Sequence, residues 1–210
     1  MKRRNIFLAI SLITIIAISS IGLLNNKDEK AHDRVKYINS SAKIISYSDF
    51  NNLDTTAELI IKGAKDRVIE TILDKDSMGD VISYGTKSAI KVNKVFKTNN
   101  ENITEGSEVV IQENGATEKT EDGIAIYGVE GYQMMNENEE YLLFLDKSLT
   151  DPNIYFVKGV YYGKVPLEEP NKSKIQNINE ANSFDLQYKG EPTDKLKQIF
   201  KDALNKYGDK

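Results

Sequence analysis

The residues with the clearest chemical potential in this chain are acidic and lie in turn-like segments. Asp74-x-Asp76-x-x-Gly79 matches positions 1, 3 and 6 of an EF-hand calcium loop. Position 5 is Met78 and position 12 is Gly85, so one oxygen ligand and the bidentate glutamate are missing. A turn between two strands favours the same residue types. We therefore interpret the segment as a turn, and we predict no metal site and no cofactor.

A second acidic group consists of Glu118, Glu121 and Asp122, in the polar stretch 113–122, which predicts a loop. Two carboxylates could act as the acid and the base of a glycoside hydrolase. Carboxylates in a long polar loop are more simply solvated. A hydrolase that uses these residues is therefore an alternative hypothesis for the chain and not the leading one.

Two Ser-x-x-Lys pairs, Ser40/Lys43 and Ser88/Lys91, resemble the opening of penicillin-binding active sites. That chemistry places both side chains on one turn of a helix. Ser88 and Lys91 fall in a predicted strand, where residues three apart face opposite sides. The single histidine, His32, falls in a predicted linker, where it cannot complete a triad or a His-rich metal site. We predict no catalytic residues and no enzymatic activity.

The first 24 residues predict that the protein is located at the cell membrane. Basic residues at positions 2–4 precede an apolar run over residues 6–24, which as a helix roughly crosses the hydrocarbon core. Basic flanks stay cytoplasmic, so the C-terminal part is expected outside. We predict a single-pass signal anchor over residues 1–24 that contacts the lipid bilayer through residues 6–24. Cleavage near Ala17-Ile-Ser19, with secretion of the rest, is the alternative.

The charge balance argues against a nucleic-acid partner. The chain carries 28 basic and 32 acidic residues, a net charge of −4, and the signs alternate without a long basic block. Binding to nucleic acid needs a concentrated positive surface to displace counterions, so no nucleic-acid partner is expected. The chain has no cysteine, so an exported domain would depend on its hydrophobic core and not on disulfides.

Beyond the anchor, the chain predicts a mainly β domain with flanking helices. Residues 25–45 are polar and predict a juxtamembrane linker, and residues 46–165 predict the folded domain. Residues 166–210 predict an irregular segment followed by an amphipathic helix over Thr193–Tyr207, closed by Gly208. Apolar stretches bounded by turn residues predict strands at about 57–73, 81–97, 109–111, 124–129, 141–145 and 154–165.

Local irregularities are also predicted. Ser48 is expected to cap a short helix that precedes the first strand of the domain. Gly63 predicts a bend or bulge in that strand. In the second strand, a regular alternation would place Val95 on the opposite face from Val92. A bulge near Asn93-Lys94 would restore the register.

Tyrosine is the one enriched aromatic type, with 11 residues against no tryptophan. Exposed tyrosines could stack on sugars or grip a peptide, because they offer a large contact area with little loss of conformational entropy. The simpler interpretation is that they are half-buried barrel residues, so the binding residues stay unknown. The tyrosines concerned are Tyr127, Tyr132, Tyr155, Tyr161 and Tyr162.

The order of four phrases is similar to a known pattern. They are Ala57-Glu-Leu-Ile-Ile-Lys-Gly63, Ile90–Lys97, Gly106–Ile111 and Glu139–Leu145. The pattern resembles the extracytoplasmic OB-fold domains akin to tissue inhibitors of metalloproteinases and netrin modules, over about residues 55–165. The resemblance implies a five- to six-stranded OB-like Greek-key barrel. Those inhibitors ligate zinc through an N-terminal cysteine, which this chain lacks, so inhibition is not expected.

These features favour a membrane-anchored, extracytoplasmic binding or interaction module of the cell envelope. Its expected partner is an envelope protein or a glycan. Two alternatives stay open. One is an envelope hydrolase that uses the loop carboxylates, and the other is a structural accessory subunit of a membrane complex.

Overall fold

The computed structural model describes residues 35–167 and 193–208. In chain order their elements are β1 (Val35–Ser40), α1 (Phe50–Thr56), β2 (Leu59–Lys75), β3 (Val81–Lys97), β4 (Glu108–Glu113), β5 (Gly115–Thr120), β6 (Gly123–Val129), β7 (Glu140–Lys147), β8 (Ile154–Val157), β9 (Lys164–Pro166) and α2 (Thr193–Tyr207). The predicted mainly β class with flanking helices is confirmed. None of the helices described is long and apolar enough to cross a membrane. The predicted anchor over residues 1–24 lies outside the described residues.

The chain divides into two compact units. The described part of the first comprises residues 35–36 and 118–125, which are the start of β1, the end of β5, the start of β6 and the turn between β5 and β6. The described part of the second comprises residues 37–117, 126–167 and 193–208. It holds both helices and the six-stranded sheet, so the hairpin and the buried network considered below belong to this second unit, whereas Glu118, Glu121 and Asp122 belong to the first.

The six-stranded sheet has the order β2-β3-β4-β8-β7-β9, and β2 also pairs with β7. Strands β2, β3, β4, β8 and β7 therefore form a continuous ring. The contact between β4 and β8 is parallel, and the other contacts of the ring are antiparallel. Strand β9 extends the sheet beyond β7. A separate three-stranded sheet has the order β1-β6-β5.

Strands β2 and β3 form a long hairpin whose register shifts several times. The bulge predicted near Asn93-Lys94 is confirmed, since Gly63 pairs with Val92 and Lys62 pairs with Lys94, which leaves Asn93 as the extra residue. The alternation of apolar residues in the sequence located this bulge. Val92 and Val95 can lie on the same buried face of β3 only if one extra residue stands between them.

Gly63 lies where β3 leaves no room for a side chain on β2. A Cβ atom at this position would be 2.8 Å from Ile90 Cγ2 and 2.9 Å from the carbonyl oxygen of Lys91. Both distances are shorter than a real Cβ contact allows, so the shift in register at Gly63 depends on the missing side chain.

Two apolar clusters form the core of the second unit, and β2 and β7 contribute alternate residues to each. Leu59 and Ile61 belong to one cluster with Leu143, whereas Ile60 belongs to the other with Phe144. Strand β7 is therefore buried on both faces, as its unbroken apolar run predicted. Helix α2 packs its predicted apolar face into the second cluster through Leu196, Ile199, Phe200 and Ala203.

Two segments predicted as linker and loop form strands instead. Residues 35–40, within the predicted linker 25–45, form β1, and residues 115–120, within the predicted loop 113–122, form β5. Both strands flank β6 in the three-stranded sheet. Their sequences are too polar to show a clear alternation of apolar and polar residues. These two strands are therefore defined by their backbone hydrogen bonds to neighbouring strands and not by their composition.

The stretch 154–165, predicted as one strand, forms two short strands, β8 and β9. Gly159 and Val160 between them have positive φ angles of 61° and 67°, which turn the chain. The predicted helix cap is also displaced by one residue. Asp49 caps α1 by accepting a backbone hydrogen bond of 2.9 Å from the first turn, while Ser48 Oγ donates to Asp49.

Candidate functional site

The hairpin of β2 and β3 extends beyond the pairing of these strands with β7 and β4. Strand β2 pairs with β7 only over Leu59–Ala64, and β3 pairs with β4 only over Thr86–Lys91. Among the described residues, the segment 66–75 pairs as a strand only with β3, and the segment 81–85 pairs only with residues 72–75. Residues 67–71 lie opposite residues 86–89, which pair with β4 on their other side, so the two-stranded ribbon is the outer part of the hairpin, 72–75 with 81–85. We define the hairpin arm as residues 66–85.

The hairpin arm exposes aliphatic side chains. Val68 is 42% exposed, Ile69 46%, Met78 82% and Ile82 68%. These four are half of the large apolar side chains that are exposed within the described residues. A concentration of exposed apolar side chains on one element is typical of a surface that contacts another molecule. The hairpin arm is therefore the candidate binding surface.

The tip of the hairpin arm contains the motif that resembles a calcium loop. Asp76 Oδ1 accepts hydrogen bonds of 2.9 Å from the backbone N–H groups of both Met78 and Asp80, and Gly79 has a φ of 91°. The Asp76 carboxylate thus closes a turn, as the sequence indicated. Within residues 35–167 and 193–208, no group of three or more His, Cys, Asp or Glu side chains could hold a metal ion.

A buried ionic network lies at the root of the hairpin arm. Glu113, the last residue of β4, is fully buried. Its Oε1 accepts hydrogen bonds from Lys65 Nζ at 2.8 Å and from Ser88 Oγ at 2.7 Å. Its Oε2 accepts hydrogen bonds from the Tyr132 hydroxyl at 2.9 Å and from the backbone N–H of Met135 at 2.7 Å. One carboxylate therefore links β2, β3 and β4 to the segment that precedes β7.

A second lysine is buried beside this network. Lys164, at the start of β9, donates a hydrogen bond to the Gln133 carbonyl oxygen, and its ammonium lies 4.3 Å from the centre of the Tyr132 ring. Burial lowers the pKa of Lys164 to about 7, although the charge of Glu113 opposes this effect. Burial also raises the pKa of the Tyr132 hydroxyl well above its ordinary value.

The geometry of the network suits positioning better than catalysis. Four donors occupy the two oxygens of Glu113, so this carboxylate is already saturated and poorly placed to take a proton from a substrate. Lys65 and Glu113 are both almost completely inaccessible to solvent. The network holds the two strands of the hairpin arm where they leave the ring.

Sequence reasoning did not find this network. Lys65 and Glu113 are 48 residues apart, and the residues around each of them predict an ordinary, solvated charged side chain. Lys65 follows an apolar stretch of β2, and Lys164 precedes the buried Val165, so both lysines adjoin core segments. That position is the one local signal that could have marked them as buried.

The structure separates the Ser-x-x-Lys pair that lies in β3. Ser88 is buried and donates to Glu113, whereas Lys91 is exposed. Their opposite orientations match the prediction for residues three apart in a strand. The other pair falls at the end of β1: Ser40 is the last residue of this strand, and Lys43 lies in the irregular stretch that follows.

The acidic group proposed for hydrolysis lies on the β5–β6 hairpin. Glu118 is half-buried on β5, and Glu121 and Asp122 are exposed in the turn that follows. The turn belongs to the first compact unit. Exposed carboxylates in a tight turn are solvated, as the simpler interpretation of the sequence holds. His32 lies outside the described residues.

The tyrosines considered for binding are buried. Each is at most 7% exposed, and Tyr132 is completely covered. Tyr161 and Tyr162 stack at 5.0 Å between ring centres and belong to one core cluster. These residues therefore form no exposed tyrosine surface, and the simpler interpretation, that they belong to the barrel interior, agrees with their burial. Tyr161 and Tyr162 can both be buried in one cluster because they lie in a turn and not in a strand, where neighbouring side chains face opposite sides.

Comparison with known proteins does not assign this fold or surface to a family. The chain matches no protein-family model, and a comparison with curated proteins gives no match.

Proposed function

We propose that the chain is a non-enzymatic, extracytoplasmic binding module, held at the cell membrane by residues 6–24. The observation that supports this proposal is the hairpin arm, which carries four exposed aliphatic side chains on β2, on β3 and on the turn between them. Aliphatic side chains suit the apolar centre of a protein interface better than a sugar ring. The partner is therefore an envelope protein.

The proposed scaffold is an OB-like barrel. Its support is the ring β2-β3-β4-β8-β7, closed by the pairing of β2 with β7 and containing one parallel contact. A five-stranded Greek-key barrel of this kind is the OB architecture. In this arrangement the hairpin arm is an elongated connection between the first two barrel strands.

A projecting ribbon needs support at its base, because an isolated two-stranded hairpin is marginally stable in water. The buried network supplies this support through Lys65 on β2 and Ser88 on β3, which share the Oε1 atom of Glu113. An exposed ribbon fixed to a rigid base loses less conformational entropy on binding than a flexible loop does. This arrangement favours a docking element.

The proposed function predicts that binding depends on the hairpin arm. In intact cells that carry the tagged full chain, replacing Met78→Glu together with Ile82→Glu is expected to reduce crosslinked capture of the envelope partner at least about tenfold, since two desolvated anchors are lost. Both side chains are largely exposed, so the free energy of unfolding should stay nearly unchanged. Quantitative mass spectrometry of the captured material measures the effect.

Leu149→Glu provides the matched control, because Leu149 is an exposed aliphatic residue on the connection between β7 and β8. This variant should capture the partner at the wild-type level. Equal capture by the arm variant and the wild type would remove the hairpin arm from the proposal.

The proposed anchor predicts two further results. The full chain should remain in the membrane pellet after an alkaline carbonate wash, and its intact mass should include residues 1–24, since the apolar run 6–24 is long enough to span the bilayer. Deleting residues 6–24 should move the chain to the soluble fraction. A mature chain that starts just after Ser19 would establish a cleaved signal peptide in place of an anchor.

A further inference from the structure

The outer edge of β2 is open along the hairpin arm. Among the described residues, the segment 66–75 of this strand pairs only with β3, whereas the segment 59–64 also pairs with β7. Residues 66–71 are exposed without interruption. Since neighbouring side chains of a strand face opposite sides, both faces of β2 are exposed here together with its edge.

The stretch 70–74 of this edge has a regular backbone. Its residues pair one for one with residues 87–83 of β3, between two shifts in register. In an antiparallel ladder, alternate residues direct their N–H and C=O groups away from the partner strand. The stretch contains no proline, and among the described residues its backbone forms no hydrogen bond outside the ladder. Its alternate residues therefore offer backbone donors and acceptors to a further strand.

Two side chains of this stretch indicate which strand would fit. Ile72 lies opposite Gly85, so the residue that faces it on β3 has no side chain to cover it. Asp74 is exposed two positions further, on the same face of β2. Residues directly opposite each other in neighbouring strands interact on one face of a sheet. An aliphatic residue opposite Ile72 and a basic residue opposite Asp74 would therefore stand two positions apart in an added strand.

The charge of the hairpin arm also favours a basic segment. Residues 66–85 contain five acidic and two basic residues. The ion pairs within the described residues occupy Asp66 and Glu70 but not Asp74 or Asp80. Asp80 is exposed at the tip of the arm, so the carboxylates without a basic partner lie towards its outer end.

We propose that the envelope partner docks by adding an extended segment of its own to the edge 70–74, as a further strand beside β2. The segment carries an aliphatic residue opposite Ile72 and a lysine or arginine opposite Asp74. Main-chain hydrogen bonds provide affinity, and these two side chains provide specificity. The inference rests on the proposed function, because it describes how the surface assigned there is recognised.

The first test is a selection of random twelve-residue peptides, displayed on phage, against the full chain in lipid nanodiscs. We expect the enriched peptides to share a basic residue two positions away from an aliphatic one. A synthesised, fluorescent copy of an enriched peptide is then the probe. Asp74→Lys/Asp80→Lys should raise its dissociation constant at least about tenfold, because two attractive charges become repulsive. Fluorescence anisotropy measures this change.

Glu101→Lys/Glu105→Lys is the matched control. Both glutamates are exposed on the connection between β3 and β4, and their replacement changes the net charge of the chain by the same amount. The control should leave the dissociation constant within about twofold, because exposed charges outside the contact are largely screened. All four carboxylates are exposed, so the variants should fold normally, and the unfolding transition of each variant checks this.

Hydrogen exchange tests the added strand itself. Amides that face the open edge should exchange rapidly in the free chain, because no acceptor protects them. The bound peptide should slow exchange at least about tenfold in fragments that cover residues 70–75 and leave residues 101–105 unchanged. Contact through side chains alone would leave the amides of the edge unprotected. Mass spectrometry of digested fragments measures the exchange.

Four results would overturn the proposal. The first is a selection that enriches nothing or enriches acidic peptides. The second is an equal loss of affinity in the control variant. The third is unchanged exchange at residues 70–75 when the peptide is bound. The fourth is a dimer in sedimentation velocity that slows exchange at this edge without peptide, which would assign the edge to a second copy of the chain.

Failure of the proposed function is a separate outcome. Equal capture of the envelope partner by Met78→Glu/Ile82→Glu and by the wild type would reject the hairpin arm as a docking surface. Reduced capture by that variant, together with unchanged exchange at residues 70–75, would reject only the added strand.

Discussion

Replacing Glu113→Ala is expected to lower the free energy of unfolding by about 3–5 kcal/mol, the cost typical of removing one partner from a buried ion pair. The variant leaves the Lys65 ammonium buried without its carboxylate. It also leaves the Tyr132 hydroxyl and the backbone N–H of Met135 without their acceptor. Each unsatisfied buried donor adds to the cost.

Urea unfolding of the full chain in lipid nanodiscs, followed by circular dichroism, measures this loss. The double variant Lys65→Met/Glu113→Leu is the control, since it removes both charges and replaces them with apolar groups of similar size. It should recover a large part of the stability, because desolvation of an ion pair offsets much of its attraction. A loss below about 1 kcal/mol in Glu113→Ala would contradict the assignment of the network as the base of the hairpin arm.

Stability is expected to rise as the pH is raised from 7 towards 10. The pKa of Lys164 is about 7 in the folded chain and 10.5 in its ordinary state, because burial disfavours the ammonium. Between these values the unfolded chain binds more protons than the folded chain, so raising the pH favours folding. Each unit of difference in pKa corresponds to about 1.4 kcal/mol, so the total gain reaches several kcal/mol.

Two limits bound this rise. Below pH 7 both states carry the proton on Lys164, so its contribution no longer changes with pH. Above about pH 10 the tyrosines of the unfolded chain ionise. The pKa of Tyr132 is raised by burial, so the folded chain keeps that proton and stability falls again. The charged groups that face Lys164 are Glu113, Lys65 and Glu139.

Lys164→Met isolates the contribution of Lys164. The variant keeps an unbranched chain of similar length, so the core stays filled. It should be more stable than the wild type at pH 7, and the difference should disappear as the pH approaches 10. Urea midpoints measured at each pH unit provide the comparison. Parallel pH profiles for the two proteins would show that Lys164 is charged at pH 7 and paired in the folded state.

The elements that the sequence predicted well are those whose signal is local. The apolar run 141–145 indicated a strand buried on both faces, and the residues at helical spacing in 193–207 defined α2 at its observed bounds. The spacing of Val92 and Val95, which would place them on opposite faces of a regular strand, located the bulge at Asn93. In each case a short stretch of chain contains the whole pattern, so the period of its apolar residues is sufficient.

The elements that the sequence did not predict depend on distant partners. Strand β5 is polar and is defined by its place beside β6, while Glu113 is buried because Lys65, Ser88 and Tyr132 converge on it from other parts of the chain. No local pattern distinguishes a buried glutamate from a solvated one. The candidate binding surface was missed for a related reason, since the exposure of Val68 and Ile69 depends on where β7 stops pairing with β2.

The central claim is that the hairpin arm is the docking surface of the chain. Site-specific photo-crosslinking in intact cells tests it most directly, with the photoreactive residue placed in turn at Ile69, Met78 and Ile82, and at Ile45 and Leu149 as equally apolar exposed controls. We expect the three arm positions to yield one discrete adduct with the same envelope protein, and the two control positions to yield none. Adducts of equal yield at the control positions, or none at the arm positions, would contradict the claim.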